Sequence, residues 1–208
     1  MAAKGKPPAL VRGSDGARRC WWGSGPEYVG YHDGEWGRPV LDDDRLFERL
    51  CLEAFQSGLS WLTILRKRDA FRAAFAGFRI DEVAEFGARD VRRLLGDAGI
   101  VRNRSKIEAA IANARAAAAL RVEEGGSLGD LVWSYRPRRH RAPRSAADLR
   151  ATTPESTALA RELKRNGFRF LGPTTVYALM QACGVVNDHL SGCIVRREVT
   201  EEQRRALP

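Results

Sequence analysis

The sequence predicts an all-α fold for this chain of 208 residues. Apolar residues recur at helical spacing in several segments, most clearly between Leu46 and Phe55. Glycine, serine, aspartate or proline stands at the ends of these segments, as helix caps require. There is no clear strand alternation and no internal repeat. We expect a disordered basic extension over residues 1–18, one all-α domain over 19–195 and a C-terminal tail over 196–208.

The segment at residues 20–40 is predicted to be loop-rich, with at most a short helix around Glu27–Tyr31. It is dense in glycine and large aromatic side chains and has neither helical nor strand periodicity. Two or three of these rings are expected to fill the core, whereas others could stack on nucleic-acid bases. The rings belong to Trp21, Trp22, Tyr28, Tyr31 and Trp36.

Local capping signals define most of the predicted helices. The acidic cluster Asp42–Asp44 suits the start of the first long helix, and Gly58 suits its end. Ser60 can cap the next helix, over Trp61–Phe75. Further helices are predicted over Asp81–Phe86, Arg89–Asp97, about Asn103–Glu123, Ser127–Tyr135 and Pro154–Asn166, the last with a cap at Thr153. Residues 136–152, rich in Arg and Pro, are predicted to form an exposed loop.

One acidic residue, Glu53, lies in an apolar stretch of the sequence. Glu53 sits on the flank of the apolar stripe of the first long helix, next to Leu52 and Ala54. Burying a carboxylate there without a partner is costly, so a solvent-facing glutamate is one interpretation. The alternative is a group that hydrogen-bonds a heterocyclic base while aromatic rings stack on it.

A glycine turn between two predicted helices suggests an anion site. The segment Phe168–Thr175 leads into a helix predicted over Thr175–Cys183. The free backbone N–H groups at the start of such a helix bind anions, and a helix–hairpin–helix holds a DNA phosphate in this way. The predicted DNA-binding residues of this turn are Gly172, Thr174 and Thr175.

The charge balance is compatible with a polyanionic partner. The formal net charge is +9, with basic clusters in residues 1–19 and 136–150. Such a charge favours nucleic acid, although a solvated basic surface would look the same. We see no transmembrane segment and no apolar core of signal-peptide length, so we expect a cytoplasmic protein that does not bind membranes. In a cytoplasmic protein the cysteines are not expected to form structural disulfides.

Two cysteine and histidine pairs stand at opposite ends of the chain. Cys20 precedes His32, and His189 precedes Cys193 by four residues, which on a helix would place both on one face. Together they form the Cys2His2 set of a closed tetrahedral zinc site, which would be structural rather than catalytic. The four could also be incidental. Cys51 and Cys183 lie on apolar helix faces and are expected in the core.

Several motifs appear together in a fixed order from Cys20 to Cys193. They are Tyr31–Gly37 (YHDGEWG), Leu52–Trp61 (LEAFQSGLSW), Gly99–Ile107 (GIVRNRSKI), Gly167–Thr175 (GFRFLGPTT) and Met180–His189 (MQACGVVNDH). In this combination the chain closely resembles the DNA-3-methyladenine glycosylase I family of helix–hairpin–helix DNA glycosylases. The basic extension and the longer tail depart from the family pattern, and residues 136–152 are hard to align with it.

The resemblance implies a monofunctional enzyme that hydrolyses the N-glycosidic bond of 3-methyladenine in double-stranded DNA, with one structural zinc ion. The family's zinc ligands match Cys20, His32, His189 and Cys193, and its base-recognition acid matches Glu53. The pocket aromatics match Tyr31 and Trp61, with Trp22, Tyr28 and Trp36 as further candidates. The wedge beside the lesion matches Gly58 and Leu59. We expect a monomer.

Two alternatives remain at this stage. The chain could release another damaged base on the same fold, or it could be a zinc-containing DNA-binding module without catalysis. Asp188, the acid nearest to where other helix–hairpin–helix glycosylases place a catalytic Asp, is expected instead to cap a helix or support the zinc.

Overall fold

The computed structural model of the chain describes residues 9–123 and 126–206. Within these ranges there are ten α-helices and two short strands. The helices are α1 (Pro26–Gly34), α2 (Asp43–Gln56), α3 (Trp61–Ala74), α4 (Ile80–Ala84), α5 (Ala88–Gly96), α6 (Arg104–Glu123), α7 (Leu128–Ser134), α8 (Pro154–Arg165), α9 (Pro173–Ala182) and α10 (Arg196–Arg205). The predicted helical fold is confirmed. No helix in the described ranges is both long and apolar enough to cross a membrane.

A β-hairpin precedes the first helix, in a region predicted to be disordered. Strands β1 (Leu10–Arg12) and β2 (Arg18–Cys20) pair antiparallel, with Leu10 opposite Cys20. The predicted disorder of residues 1–18 is therefore wrong for residues 9–18, and residues 1–8 lie outside the described ranges. Strands of three residues are too short to produce a readable alternation of polar and apolar residues.

The chain divides into two compact units with boundaries other than the predicted ones. The Cys/His unit comprises the described residues up to Pro39, then Pro137–Ala151, and the chain from Gln181 onward. The helical unit comprises Val40–Arg136 and Thr152–Met180. The hairpin, α1 and α10 belong to the Cys/His unit, whereas α2 to α8 and most of α9 belong to the helical unit.

The helical unit is built around a group of phenylalanine rings. Neighbouring ring centroids lie 4.7–6.4 Å apart, a spacing at which aromatic pairs attract each other. Most of these rings come from α2, α3 and the turn that follows α3, so they connect residues close in sequence. The rings are Phe47, Phe55, Phe71, Phe75, Phe78 and Phe86.

Three predicted helix starts in this unit are confirmed by their side-chain caps. Asp42 accepts a hydrogen bond from the Arg45 backbone N–H at 3.0 Å, and Ser60 accepts one from the Thr63 N–H at 3.2 Å. Thr153 accepts from the Ser156 N–H at 3.1 Å at the start of α8. These caps satisfy donors that a helix leaves without an internal partner.

The Cys/His unit has a much smaller apolar core. Its buried cluster consists of Cys20, Leu190, Cys193, Val195 and Val199, and Leu10 of the hairpin packs against it. Helix α10 contributes Val199, so the separate tail predicted over 196–208 is wrong for the helical residues Arg196–Arg205.

A tight backbone approach also holds this unit together. Gly184 has φ +74°, and a Cβ there would lie 2.6 Å from the carbonyl oxygen of Gly37, so that close approach requires glycine. Gln203 of α10 donates to the Gly184 carbonyl at 2.6 Å. The C-terminal helix is therefore fixed to the turn that follows α9.

Candidate functional site

Four buried cysteine and histidine side chains meet inside the Cys/His unit. Cys20 ends β2, His32 lies on α1, and His189 and Cys193 lie in the turns that precede α10. One potential ligand atom from each residue lies within 4.8 Å of all the others. The two distant pairs are therefore brought together as the sequence predicted, and we call this set the Cys/His cluster.

The spacing within the Cys/His cluster fits a small tetrahedral cation. The Cys193 sulfur lies 3.6 Å from Nε2 of His32 and 3.7 Å from Nδ1 of His189, and the Cys20 sulfur lies 3.9 Å from Nδ1 of His189. Zinc bonds of about 2.0–2.3 Å give tetrahedral edges of roughly 3.3–3.8 Å. Two thiolates and two imidazoles are also the donor set typical of a closed structural site.

Each histidine of the cluster is oriented through its other ring nitrogen. His32 Nδ1 lies 2.6 Å from a carboxylate oxygen of Asp33, and His189 Nε2 lies 2.9 Å from the carbonyl oxygen of Trp36. With protons on these nitrogens, the lone pairs of His32 Nε2 and His189 Nδ1 face the two sulfurs. Such hydrogen bonds fix the tautomer and the ring direction that metal binding needs.

A buried arginine holds the Asp33 carboxylate in place. Arg19, 5% exposed, donates to both oxygens of Asp33 at 2.7–3.0 Å and to Asp15 in the hairpin loop at 2.7–2.9 Å. Burial raises the pKa of Asp33, but hydrogen bonds from Arg19 and His32 outweigh it and the net shift is downward. This pair was not predicted from the sequence, although Arg19 directly precedes one cluster cysteine and Asp33 directly follows a cluster histidine.

Hydrogen bonds also favour a thiolate in the cluster. The pKa of Cys193 is lowered, chiefly because its sulfur accepts a hydrogen bond from the Cys20 thiol. A thiolate is the form of cysteine that binds a metal ion.

His189 and Cys193 do not lie on one helix. The two residues lie in irregular turns, with Gly192 at φ +87° between them. Turn geometry, rather than the one-turn spacing of a helix, brings His189 and Cys193 together.

Two of the candidate stacking residues pack against the cluster. The Trp22 ring lies edge-on to His32, with centroids 5.1 Å apart, and the Trp36 ring lies edge-on to His189 at 4.7 Å. Tyr28 and Tyr31 lie 6.2 Å and 6.4 Å from Trp22. These contacts favour the core-filling interpretation for Trp22 and Trp36.

Asp188 joins the loop at residues 136–152 to the rest of the Cys/His unit. Its carboxylate, which is buried, lies 2.7 Å from Nε2 of His140 and accepts a hydrogen bond from Gln181, also at 2.7 Å. Ser191 donates its backbone N–H to the Pro143 carbonyl at 2.8 Å. The loop is therefore tethered at two points that the sequence did not indicate.

In the helical unit, Glu53 is buried on α2 and is only 7% exposed. The interpretation of Glu53 as a solvent-facing residue is therefore wrong. Burial raises the pKa of its carboxyl to about 8, and the positive charge of Arg49, one helical turn earlier, offsets only part of that rise. An acid kept in an unfavourable place is a frequent mark of a functional group.

The turn after α2 presents an apolar side chain to solvent. Gly58 has φ +81°, and the Leu59 N–H bonds the Gln56 carbonyl at 2.6 Å. Leu59 is 41% exposed. Trp61, the first residue of α3, follows directly after the Ser60 cap.

The predicted hairpin is a turn between α8 and α9. Helix α9 begins at Pro173, two residues before the predicted start. Val176 is the first residue to bond back into the turn, to the Gly172 carbonyl at 2.9 Å. The Thr174 and Thr175 N–H groups belong to the first turn of a helix, where backbone donors lack an intrahelical acceptor.

Comparison with known proteins gives one consistent result. A family model described as methyladenine glycosylase matches residues 21–197. DNA-3-methyladenine glycosylase 1 of Escherichia coli strain K12 is 46% identical over 179 residues, covering 84% of this chain and 95% of the relative.

Solved structures agree with that result. A crystal structure of 3-methyladenine DNA glycosylase I aligns with TM-score 0.81 at 47% identity, over 85% of this chain and 98% of that one. A structure concerned with 3-methyladenine recognition by the Staphylococcus aureus 3-methyladenine DNA glycosylase I aligns with TM-score 0.78 at 37% identity, over 83% and 92%.

Proposed function

The chain belongs to the methyladenine glycosylase family, and we propose that it excises 3-methyladenine from alkylated DNA. It hydrolyses the N-glycosidic bond, releases the free base and leaves an abasic site for later repair steps. The observation that carries this proposal is the buried carboxylate of Glu53, which lies among apolar residues of α2 and one turn after the buried Arg49.

Glu53 is proposed to recognise the damaged base. Methylation at N3 places a positive charge on adenine and weakens its bond to deoxyribose, so departure of the base needs modest help. A cationic base favours the ionised carboxylate and therefore lowers the pKa of Glu53 when it binds. Glu53 then accepts hydrogen bonds from the base edge. These hydrogen bonds are stronger with the cationic base than with neutral adenine.

Tyr31 and Trp61 are proposed to stack on the extruded base. A cation above an aromatic face gains more than a neutral ring does, and this difference contributes to the rejection of normal adenine. Trp22, Tyr28 and Trp36 are proposed to support this role indirectly, since Trp22 contacts both tyrosines and Trp36. Water then attacks C1′ of the sugar.

Two turns of the helical unit are proposed to bind DNA. Leu59, presented by Gly58, fills the space left by the extruded nucleotide. The α8–α9 turn acts as a helix–hairpin–helix in which Gly172, Thr174 and Thr175 approach a phosphate. Arg161 and Lys164 line a groove of about 670 Å³ next to this turn and supply positive charge.

The Cys/His cluster is proposed to hold one structural zinc ion. Zinc would supply four bonds that join β2, α1 and the turns before α10, and it would leave no open position for substrate. The hairpin segment Phe168–Thr175 contains no lysine that could form a Schiff base, so we propose a monofunctional glycosylase without lyase activity. A double-stranded DNA substrate, a monomeric state and a cytoplasmic location complete the proposal.

The proposal is tested by the release of 3-methyladenine from methylated duplex DNA. Glu53→Gln should reduce release by about 10–100-fold, the effect expected for loss of a hydrogen bond to a charged group. Glu48→Gln is the matched control, because Glu48 lies on the same helix and pairs with Arg72. Preferential release of an oxidised base would instead indicate another glycosylase, and no release of any base would indicate a binding module.

A further inference from the structure

Helix α6 buries two polar residues on one face. Lys106 is 8% exposed and Asn113 is 1% exposed, among the alanines and isoleucines of this helix. Seven residues correspond to nearly two turns, so the two side chains project in similar directions about 10 Å apart along the axis. Burying polar groups at both positions is costly unless each has partners.

Lys106 closes the C-terminal end of α2. Its ammonium group donates to the carbonyl oxygens of Phe55 at 2.9 Å and Ser57 at 2.5 Å. These belong to the last carbonyls of the helix, which lack an internal donor and carry the negative end of the helix dipole. The residues that follow directly are Gly58 and the exposed Leu59.

Asn113 holds the entrance of the α8–α9 turn at two points. Its side-chain oxygen accepts the Arg169 N–H at 2.6 Å, and its side-chain nitrogen donates to the Arg169 carbonyl at 3.1 Å. The next residue, Phe170, has φ +63° and is 44% exposed. A bulky residue persists in the left-handed region only where its surroundings fix it.

The two segments held by α6 face the same groove. Ser57 of the first segment and Phe170, Leu171 and Gly172 of the second line it, together with Arg161 and Lys164. Exposed apolar side chains beside basic ones suit the opened base stack and the phosphates of a DNA duplex.

We propose that Lys106 and Asn113 are positioning residues that fix the spacing between Leu59 and Phe170, and that Phe170 is a second apolar side chain inserted against the duplex at the lesion. This inference rests on the proposed function. In this proposal α6 holds two DNA contacts, Leu59 and Phe170, at a fixed distance. We call the hydrogen bonds of Lys106 and of Asn113 the two clamps, and loss of either clamp should weaken both DNA contacts.

The test compares Lys106→Met, Asn113→Leu, the double variant and Phe170→Ala with the unmodified chain. The main measurement is the affinity for duplex DNA containing an abasic-site analogue relative to intact duplex, which does not depend on base chemistry. Each single variant should lose this preference by about tenfold, as expected for one stacking contact. The double variant should lose little more than either single variant, because the two clamps serve one spacing.

Three further measurements separate positioning from general destabilisation. Binding of free 3-methyladenine should stay within about twofold in every variant. Lys106→Arg, which keeps the donors to the α2 carbonyls, should restore most of the preference lost in Lys106→Met. Val122→Ala is the control on α6, since Val122 is 84% exposed and outside the groove.

Unchanged preference for the abasic duplex in Phe170→Ala or in both clamp variants would overturn the proposal. Additive losses in the double variant, or parallel loss of free-base binding, would reduce Lys106 and Asn113 to ordinary stabilising residues. Should a clamp variant fail to fold, Phe170→Ala decides, because it alters an exposed side chain. If the unmodified chain prefers abasic duplex yet releases no 3-methyladenine, the proposed function fails while the spacing proposal is still judged by the same affinities.

Discussion

The two units of the chain are stabilised in different ways. The helical unit has capped helices around a set of packed phenylalanine rings. The Cys/His unit has five buried residues in its apolar cluster and relies on polar clusters that connect residues more than 150 positions apart. Further buried apolar side chains of this unit, among them Tyr31, Trp36 and Val185, add hydrophobic free energy, and a bound metal ion would add to it.

The two units therefore respond differently to the loss of a single residue. In the helical unit, most contacts can be lost one at a time, each at the cost of a cavity or a cap. In the Cys/His unit, the four cluster residues act together, because a tetrahedral site with three ligands and a vacant corner holds its metal ion far less tightly.

The largest effect is expected from removal of a cluster ligand. Cys193→Ser should abolish the binding of about one zinc ion per chain and unfold the Cys/His unit, since structural zinc contributes on the order of 10 kcal/mol. Elemental analysis measures the metal. Hydrogen exchange followed by mass spectrometry should show protection lost in α1 and α10 and retained in α2 and α3.

Cys51→Ser provides the opposite case. Cys51 is buried on α2 in the helical unit, where a hydroxyl without a partner costs roughly 1–3 kcal/mol. This variant should keep its zinc and weaken protection in the helical unit. Equal loss of protection across both units in Cys193→Ser would show that the two units are not stabilised in different ways. Full zinc retention in that variant would contradict the proposed metal site.

The same difference explains what the sequence could predict. Helix starts at Asp42, Ser60 and Thr153 depend on side chains within three residues of the cap, so local patterns suffice. The hairpin and α10 have few apolar residues of their own and are fixed by contacts with distant residues. No local pattern contains that information, which is why both appear in the sequence as disordered or tail segments.

The candidate site shows the same division. The chain contains four cysteines and three histidines, and this scarcity makes a Cys2His2 set visible without any structure. Arg19 is one of 35 basic residues and carries no such signal, although it holds the carboxylate that orients His32. The roles of Lys106 and Asn113 could not be predicted from the sequence either, because their partners are backbone atoms of other segments.

A smaller but diagnostic effect is expected at Glu53, the acid buried on α2. Its pKa is raised from 4.5 to about 8 in the folded chain. Between these two pH values the folded state keeps a proton that the unfolded state has lost, so the stability of the chain falls as pH rises. Glu53→Gln removes the ionisable group and should cancel this fall.

The predicted gain for Glu53→Gln is on the order of 5 kcal/mol at pH 9, or roughly 10–20 °C in Tm, and it should be small at pH 5. Thermal unfolding at both pH values measures it, with Glu48→Gln on the same helix as the control. A stabilised variant with impaired base release would show that the helical unit sacrifices stability for function at this position. A gain independent of pH would contradict the buried-carboxylate explanation.

The smallest of these effects concerns Asp33, a half-buried carboxylate of the Cys/His unit whose partners stabilise its charge. Asp33→Ala removes the acceptor that fixes the proton on His32 Nδ1 and frees the ring to rotate. The affinity for zinc should fall by about 10–100-fold, as is typical when the hydrogen-bond partner of a metal-binding histidine is lost. Competition with a chromogenic chelator measures this change directly.

Asp15→Ala separates the orientation of His32 from the pairing of Arg19. Asp15 accepts two hydrogen bonds from Arg19 but none from His32, so its loss should change zinc affinity by no more than about twofold. If both variants weaken zinc binding equally, the relevant interaction is the neutralisation of the buried Arg19 by the hairpin. If Asp33→Ala alone weakens it, the tautomer of His32 limits metal affinity, and the hairpin contributes to the fold of the Cys/His unit without tuning its metal ion.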